Sequence, residues 1–430
     1  MAFQNVKGTR DFYPDDMRKL NWVLETWRRV SVRNGFEEYD SPIFEYLDLF
    51  TAKSGPEIAS QLFNLTDRGG RQLAIRPEIT PSLARMVNAK VNALPRPIKW
   101  FSIPRLCRAE NPQKGRLREF FQWNVDVIGE DSELADAECI CVAVDALREM
   151  GLREKDIVVL YSSRALLSEV LKSLQVAEDA IPAVMAALDK RAKVPPEAFA
   201  AMLAEAVPDA AAQAGIVKFL EAGKGGQDIE ASIRAAGLTV TDAMAAALTR
   251  LEEFRKALGL LGIAEYCRYD TGIVRGLAYY TGIVYEIFDQ AQGLRALAGG
   301  GRYDNLLQVL GGPKVSATGF GMGDVVLGIL LEEKGLIPAT AKSAALDYFV
   351  IDGEGATLED VMKVVALLRT AGRVTDFSYK RQATGKQFQQ ANRRGARKAV
   401  ILRAGGQLAV KDLASGAQKE MTVEELLKGA

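Results

Sequence analysis

The sequence predicts a mixed α/β fold of the α+β kind, and three patterns carry that prediction. Residues 98–127 read as an antiparallel hairpin. Residues from about 166 to 261 turn alanine-rich and helix-forming. From residue 344 onward, strands alternate with helices.

The hairpin is the best-defined element. An apolar run, Trp100-Phe101-Ser102-Ile103-Pro104, leads into it, and the turn cluster Asn111-Pro112-Gln113-Lys114-Gly115 lies inside it. Beyond the turn the residues alternate strictly. Phe120, Gln122, Asn124 and Asp126 fall on one face; Phe121, Trp123, Val125 and Val127 fall on the other. The apolar face packs. A polar row on a core-forming strand either faces water or lines a polar pocket. The loop carries Arg108, Lys114, Arg116 and Arg118. Guanidinium forks at close range suit a polyphosphate, and the other reading is a solvated edge.

The remaining elements follow in order. Residues 15–34 form an amphipathic helix with Leu20, Val23, Leu24 and Trp27 on one face, ended by Asn34-Gly35. A strand broken at Pro42 follows. Residues 62–66 and 72–75 flank the hairpin turn Asp67-Arg68-Gly69-Gly70. Residues 133–150 are helical, with Ala137, Ile140, Cys141 and Val144 on one side, and 157–161 is a short buried strand. The helical stretch of 166–261 is interrupted by Pro195-Pro196 and by glycines at 223–226. Residues 281–288 alternate as a strand. Gly299 to Gly301 is read as a tight connection, and Gly319, Gly321 and Gly323 precede a buried helix at 325–331. These last glycines let a base approach the backbone or let helix and sheet pack closely. The domain boundaries expected are 1–335, a linker at 336–343, and a small α/β domain at 344–430. In that domain 348–351 and 398–402 are strands, Thr357 with Asp360 is a capping box before Val361, Val364, Val365 and Leu368, and Thr422 with Glu425 caps the last helix.

Composition narrows the function classes. A chain of 430 residues accommodates more than one domain. No apolar h-region precedes Lys7, and no apolar run reaches about 18 residues, so neither a secretory signal nor a membrane span is expected. The cysteines Cys107, Cys139, Cys141 and Cys267 form no CxxC pair and are read as reduced thiols of a cytoplasmic protein. Lys plus Arg and Asp plus Glu both number 55, so any nucleic-acid contact must use local basic patches. The chain has no histidine at all. That excludes a histidine general base, a histidine-activated nucleophile and a histidine metal site. An enzyme built this way works mainly by positioning and charge.

Several motifs, in one order along most of the chain, resemble the histidyl-tRNA synthetase family of class II aminoacyl-tRNA synthetases. They are KGTRDFYP from Lys7, FEEYDSPIFE from Phe36 (motif 1), IRPEITPSLAR from Ile75, and RAENPQKGRLREF from Arg108 (motif 2). VRGLAYYTGIVYE from Val274 follows, then GGGRYDNLL and GFGMGDVVLGIL around motif 3. The resemblance implies a class II antiparallel sheet flanked by helices and a C-terminal anticodon-binding domain. It implies a histidine–tRNA ligase, with histidine, ATP carrying Mg2+, and tRNA(His) as partners. Motif 1 implies a homodimer. The helical insertion implies a tRNA clamp, against the plainer reading of a packing module.

Residue roles carry over by motif. Arg108 and Arg275 are implied at the α-phosphate, Arg275 also at the histidine carboxylate, Glu110 at adenine and Arg116 at the outer phosphates. Glu78, Thr80 and Gln122 are implied at the amino acid's amino group and carboxylate, and Asp126, Tyr279 and Tyr280 at the histidine side. Gln113, Lys114, Lys380, Arg381, Arg393 and Arg394 are implied tRNA contacts; the last four belong to a basic cluster that is otherwise a solvated face. No protein metal ligand is expected. Two departures stand out: Ala278 replaces a usual aspartate, and Val326 replaces the motif 3 arginine that holds ATP. Lys114, Arg116 and Arg302 are the candidate replacements, with Arg116 foremost. The alternative function is a non-catalytic paralogue such as the regulatory subunit of ATP phosphoribosyltransferase.

Overall fold

The computed structural model describes residues 3–54, 62–191, 194–223, 228–275, 279–342, 346–404 and 407–428. The chain forms two compact units, Met1–Asp11 with Leu20–Leu336, and Phe12–Lys19 with Ile337–Ala430.

The first unit is built on a sheet of nine strands among the described residues. Its centre consists of β1 (Glu119–Ile128), β2 (Ile283–Asp289), β3 (Ala298–Arg302) and β4 (Ala317–Gly323), in the spatial order β1-β4-β3-β2 and antiparallel throughout. Strand Ile98–Ser102 pairs with the outer side of β1, and strand Ile157–Ser163 with that of β2. The expected hairpin is present: Arg105–Cys107 pairs antiparallel with Glu119, Phe120 and Phe121.

The two faces of this sheet differ because side chains alternate along each strand. One face carries Trp123, Val125 and Val127, then Phe320 and Met322, then Tyr285 and Ile287, all buried. Helix Glu133–Glu149 covers it with Ala135, Cys139, Ile140 and Val142 among others. The first long helix, Pro14–Arg33, adds Trp27, which stacks on Trp123 at 5.8 Å, and Ser31, whose hydroxyl accepts the Trp123 indole N–H at 2.9 Å. Two aromatic rings buried this way stabilise the unit by several kcal/mol (roughly).

The glycine runs are strands rather than connections. Residues 299–301 lie in β3, and 319, 321 and 323 in β4. Glycine is a weak strand former, so propensity points away from this assignment. It is tolerated here because neighbouring side chains occupy the space the glycines leave.

Helices Arg164–Ser173, Ile181–Lys190, Pro196–Ala206, Ala210–Ala222, Ile229–Ala235 and Asp242–Leu260 lie between strands Ile157–Ser163 and Cys267–Tyr269. The second unit has a five-stranded sheet with helices Leu358–Thr370 and Thr384–Arg393. Thr357 and Asp360 make the capping box, and Val361, Val364, Val365 and Leu368 are buried beneath it. The Thr422 hydroxyl accepts the Glu425 backbone N–H at 3.2 Å. Strands Leu408–Asp412 and Gln418–Met421 were not foreseen; their charged, short pattern gives little periodic signal. Among the described residues no helix is long and apolar enough to cross a membrane.

Candidate active site

Pairing in the central sheet sets Asp126 opposite Gly319, Asn124 opposite Gly321, and Gln122 opposite Gly323. Gly299 and Gly301 of β3 continue the same rows, and Glu286 and Val284 of β2 complete them. The polar row of the hairpin therefore faces a floor of backbone, and this face is the candidate site. Open floor lets side chains lie flat on the sheet. Gln122 lies over Gly321, where an added Cβ would come within 2.8 Å of its Cδ. Asp126 lies over Gly319, the Arg275 guanidinium over Gly299, and Tyr280 over Gly301.

Arg275 sits in the left-handed region at φ 54°. A non-glycine residue held there costs on the order of 1–3 kcal/mol, and such strain concentrates at functional sites. Its Nη1 donates to Glu286 Oε1 at 2.6 Å, and its guanidinium lies 5.9 Å from the Tyr280 ring. Burial pulls the Arg275 pKa down, and Tyr280 and Glu286 more than offset this, so the group is firmly charged. The bend expected near Gly276, and Ala278 itself, lie outside the described residues.

Asp126 is buried and accepts the Tyr303 hydroxyl at 2.5 Å. The Tyr279 and Tyr280 rings lie tilted to one another at 4.9 Å, and Tyr303 meets Tyr279 edge-on at 6.1 Å. Burial raises the phenol pKa of both Tyr279 and Tyr280, with Glu78 adding to the rise, so both keep their protons at neutral pH. Glu78 is thus beside the tyrosines, just ahead of helix Thr80–Ala89, which Thr80 begins.

The hairpin loop brings the phosphate candidates to the same area. Arg108 donates from Nε to the Pro77 carbonyl at 3.1 Å and lies 5.0 Å from the Phe120 ring. Burial lowers its pKa, opposed by Glu78 and Glu110. Arg116 is ion-paired with Glu110. The backbones of Gln113 and Arg116 close the turn with two bonds of 2.9 Å, and Gly115 has φ 77°. Lys114 is exposed, 3.9 Å from Glu333.

Arg302 does not belong to this group. It points to the opposite face, only 2% exposed, where Nη2 meets Asp136 Oδ2 at 2.6 Å and Nε meets the same oxygen at 2.9 Å. Period 2 explains the correction: Arg302 follows Gly301 and so faces the other way. Val326 is 7% exposed, on the first turn of helix Asp324–Glu333, against the turn of the loop at Gly115. Its neighbours Val325 and Ile329 are only half-buried. Asp324 is structural: it pairs with Arg10 at 2.6 Å and accepts the Phe121 N–H at 2.8 Å.

In the second unit Lys380 and Arg393 are exposed. Arg381 pairs with Asp352 at 3.0 Å and Arg394 with Asp376 at 2.9 Å, both still largely exposed. Sequence reading missed Glu286, Tyr303 and the glycine floor. The only sequence signal for the floor was the alternation of glycines in Gly319, Gly321 and Gly323.

Comparison with known proteins identifies the family and the fold. Residues 8–323 match the family model described as Histidyl-tRNA synthetase, and residues 336–429 match the Anticodon binding domain. A Histidine--tRNA ligase of Opitutus terrae is 42% identical over 401 residues, covering 93% of this chain and 90% of that protein. One from Pyrococcus abyssi is 38% identical over 429 residues, covering 99% and 97%. The crystal structure of histidyl-tRNA synthetase from Nostoc sp. PCC 7120 shares the fold, with TM-score 0.81 at 24% identity and full coverage of both chains. The chain belongs to the histidyl-tRNA synthetase family.

Proposed function

We propose that the chain is a histidine–tRNA ligase whose adenylation site is the glycine-floored face of β1–β4. The observation that carries this is the convergence of Arg275, Gln122, Asp126 and Tyr280 on that floor, with Arg108 and Glu78 beside it. In the first step a histidine carboxylate oxygen attacks the α-phosphorus of ATP, and the bond to pyrophosphate breaks. Charge develops on the phosphoryl oxygens, and Arg108 and Arg275 are the fixed cations that meet it. In the second step a terminal ribose hydroxyl of tRNA(His) attacks the histidyl carbonyl, and AMP leaves.

Gln122, Glu78 and Thr80 hold the substrate's carboxylate and amino group. Asp126 accepts from the imidazole N–H, and the neutral phenols of Tyr279 and Tyr280 complete the histidine pocket. Glu110 separates from Arg116 to meet adenine, which frees Arg116 for the outer phosphates. Mg2+ would be held by the nucleotide rather than by protein ligands, and would neutralise charge on the phosphates.

The second unit reads the anticodon arm, with Lys380, Arg381, Arg393 and Arg394 as phosphate contacts; Gln113 and Lys114 contact the acceptor end. A homodimer is supported by Phe44, Tyr46 and Leu65 on one small sheet, exposed by 52%, 56% and 41%, and by Ile43 just before it, exposed by 49%. Exposed apolar residues grouped this way mark an interface. The free thiols suit a cytoplasmic location.

ATP–pyrophosphate exchange tests the reading. Labelled pyrophosphate should enter ATP only when histidine is present, and tRNA(His) should then be charged. Val326 favours the regulatory paralogue, for which histidine would bind without exchange.

A further inference from the structure

The reading above leaves one charge unaccounted for. ATP brings several negative charges, and Val326 offers none where the family has an arginine. Arg116, once released from Glu110, is one cation for the outer phosphates; in the resting site the other cations near the floor are held by carboxylates or backbone carbonyls or are committed to the α-phosphate. Arg116 is on Glu110, Arg275 on Glu286, Arg10 on Asp324, and Arg302 is buried on the far face with Asp136. Lys114 is loosely paired with Glu333 at 3.9 Å.

Arg295 is different. It is exposed, and among the described residues no carboxylate pairs with it. Its Nη2 donates to the neutral side-chain oxygen of Gln113 at 2.7 Å, inside the motif 2 loop. Its stem passes Gly115: a Cβ there would be 3.8 Å from Arg295 Cδ and 3.3 Å from Val326 Cγ2. Arg295 and Val326 thus flank the same turn.

The backbone that presents Arg295 is pinned. Asp289 accepts from the N–H groups of Gly293 at 3.1 Å and Leu294 at 3.0 Å, and Gln290 donates to the Glu154 carbonyl at 2.6 Å. The Leu297 N–H returns to the Ile287 carbonyl at 2.7 Å. A guanidinium on a fixed loop whose side-chain bond among the described residues is to an amide gains by exchanging that amide for phosphate oxygens, because the new bonds are charge-assisted.

We propose that Arg295 supplies the cation for the outer phosphates of ATP that Val326 cannot supply. This rests on the ligase reading of the same site. The test is histidine-dependent pyrophosphate exchange by the full chain, with ATP and histidine varied separately. Arg295→Ala should raise the KM for ATP about 10- to 100-fold, the scale of a lost bond to a charged group. The KM for histidine should stay within about twofold, and Arg295→Lys should recover part of the loss because it keeps the charge but not the fork. A purely structural role would move both KM values and the unfolding midpoint together. If wild type exchanges and Arg295→Ala keeps its KM for ATP, the Arg295 assignment alone is wrong. If wild type does not exchange, the ligase reading fails and the assignment falls with it.

Discussion

The two faces of β1–β4 share every strand and every backbone hydrogen bond, yet they do opposite work. One is filled by its own side chains: Trp123, Val125, Phe320, Met322, Tyr285 and Ile287 interlock under helix Glu133–Glu149. The other is floored by glycine along β3 and β4, and the space above is filled by Gln122, Asp126, Arg275 and Tyr280. Glycine in a strand interior weakens it by about 0.5–1 kcal/mol per residue relative to alanine. The first face offsets that cost and so frees the second for chemistry. Substitutions on the packed face should therefore cost stability, and substitutions on the floor should cost activity.

The largest effect expected is at Arg302. It was a plausible phosphate ligand by position in the sequence, and its side chain instead closes a buried ion pair with Asp136. Arg302→Ala leaves that carboxylate buried and alone, at a cost of about 3–5 kcal/mol. Chemical denaturation should report this loss. A variant that unfolds like wild type but fails to bind ATP would reverse the assignment of faces.

Arg275 gives the opposite expectation. Arg275→Ala removes a cation from the floor and leaves the left-handed backbone as it was, while the part-exposed Glu286 keeps access to water, so the unfolding midpoint should change little. Adenylation should fall on the order of 10²–10³, the scale for one lost transition-state donor. Pre-steady-state formation of the adenylate would measure it, and a near wild-type rate would remove Arg275 from the machinery.

What could be read in advance follows the range of the interactions involved. The alternation of Phe120 to Val127 revealed both faces of β1, because a strand's period is a local property. The capping boxes at Thr357 and Thr422 were equally local. The floor was not legible, since it depends on which strands become neighbours. Read alone, Gly299 to Gly301 looks like a turn; only pairing with β2 and β4 makes it a strand. Arg295 was missed for the same reason. In sequence it is one charge in a glycine-containing loop, far from Gln113, and only the fold brings the two within a hydrogen bond.

Gly299 and Gly300 are adjacent and face opposite ways, which makes them the sharpest test of the division between faces. The three atoms nearest a Cβ at Gly299 all belong to the Arg275 guanidinium, a side-chain end rather than backbone. A Cβ at Gly300 meets Phe320 Cβ at 2.7 Å and Tyr285 Cζ at 2.6 Å, with backbone closer still. Gly300→Ala should lose about 1–3 kcal/mol through overpacking. The decisive quantity is the histidine-dependent exchange rate of Gly299→Ala, read beside its unfolding midpoint. The account predicts a midpoint close to wild type and a rate lowered on the order of 10², the cost of shifting a positioned group by about 1 Å. A Gly299→Ala protein that exchanges pyrophosphate as fast as wild type would contradict the claim that this floor is where histidine is activated.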